Sequence, residues 1–332
     1  MATHEDGPLA SVAVSAGDPG GIGAEITARV LADDAVRRSA RFTVIGDVRV
    51  VHAGALAAGV SPELFVAGET PTLAPDGPIN VLLPEGAAVD SHEWGRTDPE
   101  YGRHAARCME LALDPALGFD GLVCAPMNKE AFHLAGYDYP DELAFMADLT
   151  HAQGAGILGY VNGLWTTTLS EHVPFAEVRE HVRTDRILER IETLREAMTR
   201  AGHADPAIAV AALNPHAGEG GQVGREEIDE IAPAIEEARR RGIRATGPVP
   251  ADMVFVLGSR GDFDGVVSMY HDQANIARKL LGAGCTVYHG LPVPAATTAH
   301  GTAFDIAGTG SADEGSLRRA VELVVTMARA GL

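Results

Sequence analysis

Cysteine is scarce in this 332-residue chain: Cys108, Cys124 and Cys285 are scattered, with no CxxC pair and no even framework. A disulfide scaffold is therefore excluded, and reduced thiols are expected. Long hydrophobic runs are missing too. No apolar stretch approaches the roughly 20 residues that a membrane-spanning helix needs. Positive charge is in short supply, with 26 Lys and Arg against 46 Asp and Glu, a formal net charge of −20. A field of that sign repels nucleic acid and anionic lipid, so neither partner is expected. It also means that a site for an anionic substrate must gather its own cations or a metal. The opening MATHEDGPLA lacks the basic-then-apolar layout of a secretory leader, which makes the expected location cytoplasmic. Internal repeats and low-complexity linkers are absent, and the Pro and Gly near 72–87 and 247–250 read as loops.

What is present is a regular alternation of strand and helix signals. Arg41 to Ile45, Ile79 to Leu83, Gly121 to Ala125, Leu164 to Leu169 and Asp264 to Met269 read as strands. Pro99 to Leu113, Asp141 to Thr150, Asp185 to Gly202 and Arg225 to Arg241 read as helices. In the last of these Ile228, Ile231 and Ile235 fall at helical spacing, and Gly242 follows as a cap. The pattern predicts an α/β protein with mostly parallel sheet, long enough at 332 residues for two domains.

The stretch that organises the chain is Leu213-Asn214-Pro215-His216-Ala217-Gly218-Glu219-Gly220-Gly221, which follows the apolar run Ala207 to Ala212. It places a histidine and a carboxylate in a glycine-rich turn at the carboxyl end of a strand, the edge where open α/β sheets bind ligands. A plain tight turn accounts for the same residues. His172 and His271 each follow a predicted strand as well. Three imidazoles and an open position make the usual layout of a catalytic zinc, although their spacing carries no local ligand motif. Gly17 to Gly23, between a strand and a helix, would aim backbone N–H groups at an anion or serve as a structural turn. It matches neither the phosphate-loop nor the dinucleotide pattern. In His300-Gly301-Thr302-Ala303-Phe304-Asp305, small residues admit a flat ligand and Asp305 can accept from a ribose; a plain loop is the alternative. Lys129 and Lys279 lie beside these segments.

Taken in order, GDPGGIGAE (17–25), APMNKE (125–130), LNPHAGEGG (213–221), GPVPADMVF (247–255), MYHDQ (269–273) and HGTAFDIAG (300–308) resemble the signatures of the 4-hydroxythreonine-4-phosphate dehydrogenase (PdxA) family, over nearly the whole chain. The last segment also resembles the cofactor loop of isocitrate and isopropylmalate dehydrogenases. The resemblance implies their two-domain α/β/α fold with an interdomain cleft. We divide it as 1–127 plus 283–332 on the cofactor side and 128–282 on the metal and dimer side. It makes His172, His216 and His271 the ligands of a divalent metal, zinc first and magnesium, manganese or cobalt after it. It implies NAD at His300, Gly301, Thr302, Ala303 and Asp305, and a homodimer whose subunits share the site. Lys279 becomes a substrate contact. So do the positions of Glu142, Leu143, Thr286 and Ala295, where the family's His–Thr pair, asparagine and arginine are replaced.

The expected reaction is oxidation of a secondary alcohol in a 4-phosphooxy-L-threonine-like hydroxy acid, with decarboxylation where a carboxylate lies β to the new ketone. Lys129 and Asp252 are the expected proton-relay groups. The altered pocket admits other substrates, a phosphorylated four-carbon sugar acid or an unphosphorylated cis-dihydrodiol carboxylate. The same histidines without a dinucleotide would serve a metal-dependent hydrolase or aldolase. NAD binding separates those classes.

Overall fold

The expected alternation is present in a computed structural model that describes residues 9–331. The opening stretch read for a leader lies outside the described residues as far as residue 8. In chain order the strands are β1 (Ser11–Ser15), β2 (Arg41–Ile45), β3 (Phe65–Ala67), β4 (Ile79–Leu82), β5 (Gly121–Cys124) and β6 (Gly156–Val161). They continue as β7 (Leu164–Ser170), β8 (Ile208–Ala211), β9 (Ala245–Val249), β10 (Gly265–Tyr270), β11 (Cys285–His289) and β12 (Ala295–Thr298).

The chain divides into two units. One comprises Met1–Gly156 and Gly290–Leu332, and its strands lie in the order β3-β4-β2-β1-β5-β12, every adjacent pair parallel. The central β1, SVAVS, is buried along its length, as a parallel strand covered on both faces requires. Helix Pro99–Ala112 meets helix Lys129–Leu134 so closely that a Cβ on Gly102 would lie 2.0 Å from the Ala131 carbonyl oxygen. That packing keeps Lys129 and the following helix Glu142–Thr150 in this unit, so the division does not fall at 128.

The other unit, Ile157–His289, has strand order β11-β6-β7-β10-β8-β9. β6 and β7 form an antiparallel hairpin, and β7, β10, β8 and β9 run parallel. Leu164, Ala209, Ala211, Val254, Phe255 and Val266 pack in one of its apolar clusters. Because β7, β10 and β8 are parallel neighbours, the residues just past each strand gather at one edge. The predicted helix over Arg225 to Arg241 is present with an irregular start: a π-helical turn at Glu227–Ile231 runs directly into helix Ala232–Arg240. Pro233 has no N–H for the regular ladder, and the changed register leaves Ile228 44% exposed while Ile231 and Ile235 are buried.

Candidate active site

The three histidines stand at that edge. In the register Tyr270 pairs with Ser170, so His172 and His271 emerge side by side, their ring centroids 5.7 Å apart. His216 follows β8, the next strand over. His216 Nδ1–H donates to Glu219 at 2.8 Å, and His271 Nδ1–H donates to Asp272 at 2.8 Å. A carboxylate only accepts, so each bond puts the proton on Nδ1 and leaves Nε2 as the free lone pair. Carboxylate-backed imidazoles of this kind suit a borderline divalent cation. The hydrogen bond that Glu219 accepts, and then its charge, holds the His216 pKa above the ordinary value. Among the described residues no three His, Cys, Asp or Glu side chains converge into one ligand set: the chain brings together a pair and a separate third arm.

The third arm has an unusual backbone. His216, Ala217, Gly218, Glu219, Gly220 and Gly221 all have positive φ, between 46° and 95°, a left-handed turn in which His216, Ala217 and Glu219 carry side chains. Each such non-glycine residue costs on the order of 1 kcal/mol, so the surroundings must impose the shape.

The remaining expected residues divide between the units. Asp252 opens helix Ala251–Ser259, and its charge contributes to the raised His216 pKa. Lys279 is exposed on helix His271–Leu281, and Thr286 is half-buried on β11. Lys129 is exposed at the start of its helix in the first unit. Glu142 borders a small pocket of about 10 Å³ with Ser15, Gly17, Cys124 and Met127, room for no more than a water. Leu143 is 6% exposed and Ala295 is 0% exposed, Ala295 being paired with Leu122 inside the sheet. These two were expected to touch substrate; here both side chains lie in the core.

His300, Gly301 and Asp305 are exposed, while Thr302 and Ala303 are half-buried. Ala303 has φ +44°, and Ile22 N–H donates to the Thr302 carbonyl at 3.0 Å. That bond answers the question posed by Gly17 to Gly23. Gly20 N–H goes to the Asp18 carboxylate, Gly21 N–H to the Asp18 carbonyl and Ile22 N–H to Thr302, so these amides serve the protein and do not cradle an anion. Asp18 itself is fully buried, with one carboxylate oxygen unpartnered among the described residues. Burial pushes its pKa up to about 7, against the opposing N–H groups of Gly20 and Asn128. Sequence reasoning also passed over Glu25 and Arg29. Arg29 donates to the carbonyls of Ala312 (2.6 Å) and Gly310, and Glu25 accepts from Ala312 N–H at 3.2 Å.

A family model described as "Pyridoxal phosphate biosynthetic protein PdxA" matches residues 38–324. The 4-hydroxythreonine-4-phosphate dehydrogenase of Caulobacter vibrioides is 38% identical, over 96% of this chain and 97% of its own. The D-threonate 4-phosphate dehydrogenase of Salmonella typhimurium is 36% identical, over 96% of this chain and 99% of its own. The crystal structure of 4-hydroxythreonine-4-phosphate dehydrogenase from Klebsiella pneumoniae matches with a TM-score of 0.83 at 33% identity, covering 98% of this chain and 99% of that one.

Proposed function

The chain belongs to the PdxA family and is a dehydrogenase, and on that premise we propose that it oxidises a secondary hydroxyl of a phosphorylated four-carbon hydroxy acid, using NAD and a divalent metal. The observation that carries this reading is the pairing of His172 with His271 at one sheet edge, with Nε2 left free on His271 and His216 by their carboxylate partners. Bound there, the cation would polarise the substrate hydroxyl, and NAD would accept hydride from the carbinol carbon. The protein's own part is to bind and orient. His172, His216 and His271 hold the cation and so fix the hydroxyl. Lys279 and Thr286 meet the anionic end. Asp252, on the same unit as the histidines, takes the hydroxyl proton directly or through one water, and Lys129 is the second relay group. His300, Gly301, Thr302, Ala303 and Asp305 hold the dinucleotide, with Asp305 on a ribose hydroxyl.

We place the enzyme in the cytoplasm as a homodimer. A groove of about 510 Å³ beside Asp252 and Asp272 is lined by Phe255, Val256, Tyr270 and Ile276. Ile276 is 63% exposed and Leu280 83% exposed. An apolar face of this kind supports a subunit contact, and a second copy could complete the ligand set at the adjacent histidines. Among the described residues no helix is long and apolar enough to cross a membrane.

The test is NADH formation by the metal-supplied protein with 4-phosphooxy-L-threonine and with D-threonate 4-phosphate, the substrate classes in the relatives' names. Turnover of either supports the reading and selects the substrate. No NADH with both removes it.

A further inference from the structure

Each histidine segment is tied to the others by polar contacts that involve none of the imidazoles. Asn214, two residues before His216, donates through Nδ2 to Glu226 at 2.7 Å and to Glu227 at 3.0 Å. Glu227 is 3% exposed, and its other oxygen accepts the backbone N–H groups of Leu213 at 2.9 Å and Asn214 at 2.7 Å. Glu226 pairs with Arg179, seven residues beyond His172 on helix Val178–His181. Gln273, two residues beyond His271, donates to the Ala212 carbonyl at 2.9 Å and accepts from Met269 N–H at 2.8 Å. The strand end at Ala212–Asn214 is therefore a junction from which all three arms are held.

We infer that Asn214, Glu226, Glu227, Arg179 and Gln273 are positioning residues for the three-histidine site, presetting the arms before a cation arrives. The inference rests on the histidines being the ligands, as proposed above. Two glycines show how tightly the junction is built. A Cβ on Gly218 would lie 2.8 Å from the Glu227 carboxylate, and one on Gly224 would lie 2.3 Å from Asn214 Nδ2. The left-handed turn thus closes directly onto the buried carboxylate. Glu227 is the first residue of the π-helical turn Glu227–Ile231. A buried carboxylate that accepts two main-chain N–H groups and a side-chain amide has most of its hydrogen-bonding capacity satisfied. Its satisfaction repays part of the cost of the turn. Groups that orient metal ligands from outside the coordination sphere commonly change affinity by about 10–100-fold when removed.

The test compares wild type with Asn214→Ala, Glu227→Gln, Arg179→Ala and His216→Ala. Zinc affinity is read by competition with a chromophoric chelator, coordination by the visible spectrum of the cobalt-loaded protein, and folding by thermal melting. His216→Ala should lose zinc. Asn214→Ala and Glu227→Gln should weaken zinc by about 10–100-fold and shift the cobalt bands. Arg179→Ala, on an exposed side chain, should weaken it several-fold with the melting temperature unchanged. If Glu227→Gln fails to fold, Arg179→Ala and Asn214→Ala decide. Wild-type zinc affinity and cobalt spectra in these two variants, alongside loss of zinc in His216→Ala, overturn the positioning role and leave the ligand reading standing. Wild-type zinc binding in His216→Ala overturns both.

Discussion

Asp18 shows how one residue can be structural and pH-sensitive together. Its carboxyl is fully buried at the turn that latches Ile22 to Thr302, and burial moves its pKa from 3.8 to about 7. A carboxyl whose folded pKa is raised stabilises the fold fully below its unfolded value, here 3.8. That contribution is lost as pH climbs towards 7. Asp18→Asn mimics the protonated acid, so the variant should be equal to wild type near pH 4 and more stable at pH 8. The gain should be on the order of 4 kcal/mol, measured by chemical denaturation at both pH values. A constant difference across that range would remove the assignment. The sequence offered GDPGGIG as a possible anion cradle; it gave no sign that the amides of Gly20, Gly21 and Ile22 have protein partners. Those partners depend on long-range packing, which local spacing does not encode.

Elements whose pattern was strong came out nearly as read. β2 is Arg41–Ile45 in both, and the predicted helix over Asp185 to Gly202 is Thr184–Arg200. The helix over Arg225 to Arg241 came out as a continuous helix whose first turn is π-helical, ahead of Pro233, which has no N–H for the regular ladder. The histidine edge was legible for a simple reason: each imidazole follows a strand of strong β pattern, and parallel neighbours end together. The junction behind it was not, since Arg179 and Glu226 are 47 residues apart and each alone reads as a solvated charge. The same holds for Arg29, whose carbonyl partners lie more than 280 positions away, at 310 and 312. It holds the segment that continues the proposed cofactor loop. Arg29→Ala should therefore weaken NAD binding several-fold by calorimetric titration, with kcat at saturating NAD little changed. Unaltered NAD affinity would separate that segment from the cofactor.

For the whole molecule, the decisive property is an apolar face on a strongly acidic protein. At a net charge of −20 two copies repel at long range, so association must come from buried apolar area. Ile276 and Leu280, exposed on helix His271–Leu281, would supply it in the dimer proposed above. If the proposed dimer forms through this face, Ile276→Asp with Leu280→Asp should yield a monomer by light scattering and lower zinc affinity, because a site shared between subunits would be lost. A dimer that persists would move the interface elsewhere on the surface.

The left-handed turn at His216–Gly221 also limits how this chain can drift. A β-branched residue at 216, 217 or 219 would meet its own backbone at positive φ, whatever its chemistry. Gly218 and Gly224 admit no side chain beside Glu227 and Asn214. The spelling of HAGEGG is thus constrained by handedness as well as by the metal chemistry proposed for His216. A segment with so few permitted spellings stays readable long after the rest of a sequence has changed.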